Sequence, residues 1–401
     1  MHKFPLFYFS IRKDGVVPAQ IERLLTFETA VGEVKQESGI PGLKYDFNAG
    51  VRVEVPAGKW HIKISDFDTG MVGFDSDISE QVIVSLEKYY VHWYIEAWRN
   101  GKKVFEHLLD LTNQKIYIFM VNGVLGDTVS VLPYVKLLKE QYNADITLFP
   151  PDAFKEVCRE YLPEVTVQTI IPDGCYAAYC LAVFDYPPYL IPDDSRHWPP
   201  FMSARAILGL HHTAKDIHYY PTAPREIKEK YVCIAVQASG IMKRWLYPEG
   251  WDIVVEYLKS LGYRVLCIDG KDVETEDGYE VRRPVGAEDY TGMRPLMERI
   301  NLLAYADFFI GLGSGLSWLA HACGKPVVLI SGFSLPIAEF DTPYRVQNQY
   351  VCHGCYNDMT VNWKTHCPYH LGTEREYECG KSITPLQVVQ AIERLIEDHG
   401  L

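Results

Sequence analysis

Positive charge is in short supply in this sequence: 39 Lys and Arg stand against 52 Asp and Glu, a net charge of −13. Nucleic acids are gripped by clustered Lys and Arg on their phosphates, so this balance argues against a nucleic-acid binder. A long apolar run is missing from the N-terminus. MHKFPLFYFSIRKDG has a basic residue and a short apolar stretch, too short to span a bilayer and followed by no small-residue cleavage site. The expectation is a soluble, cytoplasmic chain without a membrane span. No repeat of fixed short period occurs. No P-loop occurs either, since no G-K-[ST] follows the late glycine-rich turn. That turn also misses the dinucleotide fingerprint. Its spacing is Gly311-x-Gly313-x-Gly315, Leu316 stands where the third glycine belongs, and no suitably placed acid lies about 20 residues on. A dehydrogenase is therefore disfavoured.

What is present is enough for two or three well-filled domains: 401 residues, 48% of them hydrophobic. Residues 1–44 have weak periodicity and predict no element. From 45 to about 112, short alternating runs (GVRVEVP, KWHIKISDF, KKVFEHLLDL) are separated by turn signals, which predicts an antiparallel sandwich or small barrel. We set an N-terminal β-rich domain at 1–112. At 115 the texture changes to apolar strands alternating with amphipathic helices, the pattern of a parallel sheet with crossovers. One such set occupies 113–225 and a second 226–345, predicting two Rossmann-like α/β domains with a cleft at the strands' carboxyl ends. A cysteine-bearing loop follows at 346–382. The chain ends in a helix within 383–401, where Thr384, Pro385 and Gln387 predict a capping box. Leu386, Val389, Ile392 and Ile396 are its expected buried stripe. Cys233, Cys267 and Cys323 lie in apolar runs and are expected reduced and buried.

Four short stretches carry candidate chemistry. In NGVLGDTV, 122–129, Gly126 allows close backbone approach and Asp127 opens a helix. Asp127 is either an N-cap or a general base kept ionised by the helix dipole. Thr128 beside it is a substrate-binding candidate. In QASGIMKRW, 237–245, Lys243 is either a solvated charge or the group that neutralises a diphosphate leaving group. Gln237 in this loop and Asp269 after the strand RVLCI are further substrate candidates. In GLGSGLSWLAHACGKP, 311–326, Gly313, Ser314, Gly315, Leu316 and Ser317 form either a tight packing turn or an anion cradle of amides and hydroxyls at a helix start. In 351–379, Cys352, Cys355, Cys367 and Cys379 follow the spacing C-x2-C, eleven residues, Cys, eleven residues, Cys. Four thiolates so presented make a closed tetrahedral metal site of structural type, with zinc the default and mononuclear iron the other candidate. His353, His366 and His370 are neighbouring alternatives for one ligand.

Taken in order, GVLGD, MKRW, GYRVLCID and SGLSWLAHACGKPVVLISGFSLP resemble the ADP-heptose-dependent heptosyltransferases. The β-rich N-terminal region and CHGC…HCPYH…YEC narrow the resemblance to the bacterial autotransporter heptosyltransferases, from about residue 45 to the end. The resemblance implies a glycosyltransferase B-type core, an N-terminal antiparallel β-barrel-like domain and a hairpin thumb within 175–200. It also implies iron on the four cysteines and a ring dodecamer. Transfer of heptose from ADP-glycero-manno-heptose to serine, or threonine, of an adhesin passenger domain follows from it, with inversion. Asp127 is then the base, Lys243 the leaving-group lysine and 314–317 the phosphate cradle, with no catalytic divalent metal required. One departure is Gly313, where the lipopolysaccharide-core enzymes have Asp. The competing readings are a lipopolysaccharide-core heptosyltransferase and a metal-ribbon adaptor that only binds nucleotide.

Overall fold

The computed structural model describes residues 9–12, 32–48, 50–85, 89–120, 124–170, 174–181, 201–276, 278–358, 360–363 and 366–401. The chain divides into two compact units. The first holds residues up to 123, 131–195 and 201–215; the second holds 124–130, 196–200 and 216–401.

Among the described residues the first unit contains two sheets. Val72–Ile78, Trp60–Asp66, Trp93–Arg99 and Lys102–Leu108 form an antiparallel sheet in that order. Its two central strands alternate: Trp60, Ile62, Ile64, Trp93, Ile95 and Ala97 are buried, while His61, Lys63, Tyr94 and Glu96 point the other way. That period of two is what one covered face and one wetter face require. The other sheet is mixed. Phe9–Arg12, Gln81–Ser85, Arg52–Val55 and Lys44–Asn48 are antiparallel neighbours. The far edge of Lys44–Asn48 pairs in parallel with Ala177–Leu181, and Lys115–Met120, Asp145–Phe149 and Thr166–Val167 continue the sheet.

The expected N-terminal sheet region is present, and its strands do not form one closed barrel. The antiparallel strands are divided between two sheets, and one group extends the parallel sheet through the register Ala177↔Phe47 and Ala178↔Asn48. An open edge of a parallel sheet is a liability, and these strands cover it. Most of the span expected for the thumb, 175–200, lies outside the described residues. Ala177–Leu181 is a wholly buried interior strand of this sheet.

The second unit is built on a six-stranded sheet ordered Glu288–Asp289, Arg264–Cys267, Tyr231–Ile234, Phe309–Leu312, Val327–Ile330, Arg345–Val346, with every pair parallel. Tyr231–Ile234, Phe309–Leu312 and Val327–Ile330 are buried at every residue. Continuous apolar runs such as VVLI, without alternation, belong to strands covered on both faces. Helix Gly250–Ser260 packs against the C-terminal helix Pro385–His399. The latter starts with the expected capping box, in which Thr384 and Gln387 exchange side-chain and backbone hydrogen bonds. Its buried stripe is Val388, Ala391, Ile392 and Leu395, and Leu386 is 64% exposed. The face is thus rotated from the one expected. It runs through the small Ala391, whose short side chain lets a neighbouring helix come close and which a count of large apolar residues passes over. Cys233, Cys267 and Cys323 are buried and unbridged. Among the described residues no helix is long and apolar enough to cross a membrane.

Candidate active site

The second sheet contains one reversal of direction. The chain runs outward from Tyr231–Ile234 through Arg264–Cys267 to Glu288–Asp289, then returns to set Phe309–Leu312 on the opposite flank of Tyr231–Ile234. The loops leaving these two neighbouring strands diverge. The crevice they open at the carboxyl ends is where open α/β sheets take ligands. One loop carries Lys243 and the other carries 313–317.

The Lys243 loop is anchored at both ends. At its start, the buried Asp269 carboxylate accepts from the amides of Val236 (2.8 Å) and Gln237 (3.0 Å), and Gln237 Nε2 donates to the Lys271 carbonyl (2.8 Å). Ile241–Lys243 is a single tight helical turn, with Ile241 and Met242 buried. Beyond it, Arg244 donates to Glu274 and Glu276 at 2.8 Å each, Trp245 Nε1 donates to the Ile383 carbonyl (2.7 Å), and the Trp245 ring sits edge-on to Trp251. Lys243 itself is half-buried. Burial lowers its proton affinity below that of an ordinary lysine, and the charges of Asp127 and then Glu339 push it back up. Among the described residues no hydrogen bond or ion pair engages its ammonium.

On the other loop, Ser314 is the extended residue before helix Gly315–Ala322, and its hydroxyl makes no capping bond. The amides of Ser317 and Trp318 reach the Ser314 carbonyl (3.1 and 3.4 Å). The amides of Gly315 and Leu316, first in the helix, have no intrahelical carbonyl within reach. With the Ser314 hydroxyl they form a small set of donors suited to an anion.

Asp127 reaches this site through a close approach of two helices. It is the third residue of helix Leu125–Tyr142, so it lies within the first turn and is not the N-cap. A Cβ on Gly126 would lie 2.9 Å from the Trp318 ring and 3.4 Å from Gly315 Cα; one on Gly315 would lie 2.6 Å from Leu125 Cβ and 2.9 Å from the Gly126 nitrogen. Neither glycine has positive φ. Both are there for contact, not for an unusual backbone. The first turn bearing Asp127 is thereby seated against the start of helix Gly315–Ala322. Gly315→Ala is expected to force these turns apart and lower kcat/KM by about 100-fold, since misplacing a reacting group by about 1 Å costs that much. Steady-state kinetics beside a melting curve check this, and unchanged kinetics would remove the contact from the catalytic argument.

Four of the substrate candidates have their side chains engaged in structure, Gln237 through the bond to Lys271 already described. Thr128 Oγ1 donates to the Val124 carbonyl (2.9 Å), and Ser317 Oγ donates to the Leu312 carbonyl (2.6 Å) from a buried position. Asp269, 1% exposed, is consumed by backbone amides, and burial raises its proton affinity. In this arrangement these side chains hold the loops in place. Each hydroxyl or carboxylate found a backbone partner within its own turn or on the adjacent strand end. One charged neighbour of the site escaped the sequence reading. Glu339 follows the turn Pro336–Ala338 in a segment, IAEFD, with no recognisable signature.

The four thiols of the cysteine loop lie within electrostatic range of one another. Burial raises the Cys355 thiol to about 12, and Cys379, Cys352 and Cys367 add to that shift. The Cys379 thiol is also pushed to about 12, first by burial and then by Cys352 and Cys367. An all-cysteine tetrahedral set fits iron or zinc. Among the described residues, the possible ligands whose atoms lie within 4.8 Å of one another are Cys352, His370 and Glu378, and the four cysteines do not close into such a group. Glu378 is already held by Arg375 (2.6 and 2.9 Å) and the Cys352 amide (2.9 Å). Cys355 and Cys367 pack with Phe333 and Tyr377 in one apolar cluster with Ile241 and Met242, the residues just before Lys243.

Two family profiles match: "Glycosyltransferase TibC, N-terminal domain" over residues 39–101, and "Glycosyltransferase family 9 (heptosyltransferase)" over 204–367. The autotransporter heptosyltransferase BAHTCr of Citrobacter rodentium is 39% identical over 383 residues, 93% of each chain. TibC of Escherichia coli is 38% identical over 92% of this chain and 94% of its own. The chain belongs to the autotransporter heptosyltransferases. It is a glycosyltransferase, of the family 9 α/β fold with an N-terminal sheet domain. The crystal structure of TibC, described as iron-containing and dodecameric, superposes with a TM-score of 0.87 at 36% identity, over 92% of this chain and 98% of that one. TibC has also been solved with ADP-D-β-D-heptose, with the same TM-score and identity. An inactive autotransporter heptosyltransferase, BimC of Burkholderia thailandensis, is 33% identical over 88% of this chain and 86% of its own.

Proposed function

We propose that this enzyme transfers heptose from ADP-glycero-manno-heptose to serine hydroxyls, and to threonine, of an autotransporter adhesin passenger domain, inverting the anomeric centre. The observation that carries the reading is a Lys243 ammonium under the charges of Asp127 and Glu339, beside a helix start whose amides are open. Asp127 takes the acceptor proton as the hydroxyl oxygen attacks the anomeric carbon. The bond from that carbon to the diphosphate oxygen breaks, and ADP leaves with the electron pair. Lys243, the Gly315 and Leu316 amides and the Ser314 hydroxyl meet the charge growing on the diphosphate. The reading needs no catalytic divalent metal, because these groups supply the countercharge. The site groups belong to a glycosyltransferase B-type pair of Rossmann-like halves, with the donor on residues 226–345 and the acceptor side on 113–225. The ligand of TibC supports the donor, and the names of the relatives support the acceptor. The work is assigned to the cytoplasm. Incubating the enzyme with ADP-heptose and a passenger fragment is expected to add mass in steps of one heptose, while core lipid stays unmodified. Modification of core lipid alone would overturn the acceptor.

The four cysteines are assigned to iron in a structural site, with zinc the alternative ion, and the loop they close to assembly of a homo-oligomer, a ring dodecamer as in TibC. The metal neutralises the thiolates and ties 352–379 together. Replacing Cys355 and Cys367 by Ser is expected to abolish bound metal and shift the particle to smaller size by light scattering. A metal-free double variant that keeps its oligomer would reject the assembly role.

A further inference from the structure

Gly313, one residue before the anion cradle, has no conformational need to be glycine, because its φ is not positive. It is required for space: a Cβ there would collide with Oε1 of Glu339. The Glu339 carboxylate thus lies directly over the turn that ends strand Phe309–Leu312. It is rigidly held. Ser334 Oγ donates to Oε1 (2.7 Å) and Arg345 Nη1 to Oε2 (2.5 Å), and Arg345 also grips the Ser334 carbonyl (3.0 Å) and Ser331 Oγ (3.3 Å). The Glu339 side chain is only 6% exposed. An ionised carboxylate oxygen accepts about two hydrogen bonds, so Oε1 keeps acceptor capacity on the side facing the turn. A negative charge at the edge of a phosphate cradle weakens diphosphate binding by repulsion unless a hydrogen-bond donor lies against it. A sugar hydroxyl is a neutral donor of the kind that satisfies such an acceptor.

We infer that Glu339 is the hydroxyl acceptor of the donor-sugar subsite, and that Gly313 is bare to admit its carboxylate. The inference rests on the donor assignment made above and adds the residue that reads the sugar. Its experiment is calorimetric titration of ADP and of ADP-heptose into the full-length wild type, Glu339→Gln and Gly313→Ala. A hydrogen bond to a charged acceptor corresponds to about 10- to 100-fold in affinity. Both variants are expected to lose that factor for ADP-heptose while their affinity for ADP is unchanged or slightly tighter. Gly313→Ala displaces the carboxylate yet keeps the Arg345 pair, so it carries the test if Glu339→Gln fails to fold. An unchanged ratio of ADP-heptose to ADP affinity in a folded variant overturns the inference. A wild type that binds neither nucleotide overturns the donor assignment itself, and this inference with it.

Discussion

Asp127→Asn is expected to lower kcat by about 100- to 10,000-fold with little change in the affinity for ADP-heptose, the range that a lost general base accounts for. The amide has nearly the shape of the carboxylate, so the contacts of Gly126 with Trp318 and Gly315 stay as they are. What disappears is the acceptor for the hydroxyl proton. A second consequence separates this role from a purely structural one. The Asp127 charge raises the proton affinity of Lys243. Removing it lowers that affinity further, so the alkaline limb of residual activity moves to lower pH. Single-turnover rates across pH, with binding measured separately, check both effects. Near-normal turnover would take Asp127 out of the base role.

Lys243→Met is expected to reduce kcat by about 100- to 1,000-fold, the loss produced by removing one preorganised donor from a developing negative charge, about 3–4 kcal/mol. The anchoring by Arg244 and Trp245 remains, so the loop keeps its course. In the wild type, burial lowers the lysine's affinity for its proton, with Asp127 and Glu339 opposing the shift. The working form is the ammonium. Activity therefore falls as pH rises through the Lys243 titration, and this limb lies below the range of an exposed lysine. In the Met variant that limb is absent. A variant that keeps both the rate and the alkaline limb would show that another group answers the leaving diphosphate.

Much of this architecture could be read locally. The runs YVCI, FIGL and VVLI are continuous apolar strands because a parallel sheet covers both faces. The capping box of the last helix needs only Thr384 and Gln387, three residues apart. Other features depend on distant partners. Strand Lys44–Asn48 reads as part of an antiparallel domain until Ala177–Leu181 is found on its other edge. Glu339 reads as an ordinary acid until Ser334, Arg345 and the bare Gly313 fix its carboxylate.

The sequence by itself determined the element types of the second unit and the chemical character of its loops, because periodicity, caps and turn residues act over a few neighbouring positions; the heptosyltransferase family came from the resemblance of its motifs. Only the tertiary structure decided which polar groups remain open. Ser314 and Ser317 are three residues apart with the same side chain, yet Ser317 is spent on the Leu312 carbonyl while Ser314 makes no cap bond. A hydrogen-bonding group is available to a ligand only if folding has not already satisfied it, and that depends on what the rest of the chain brings within about 3 Å.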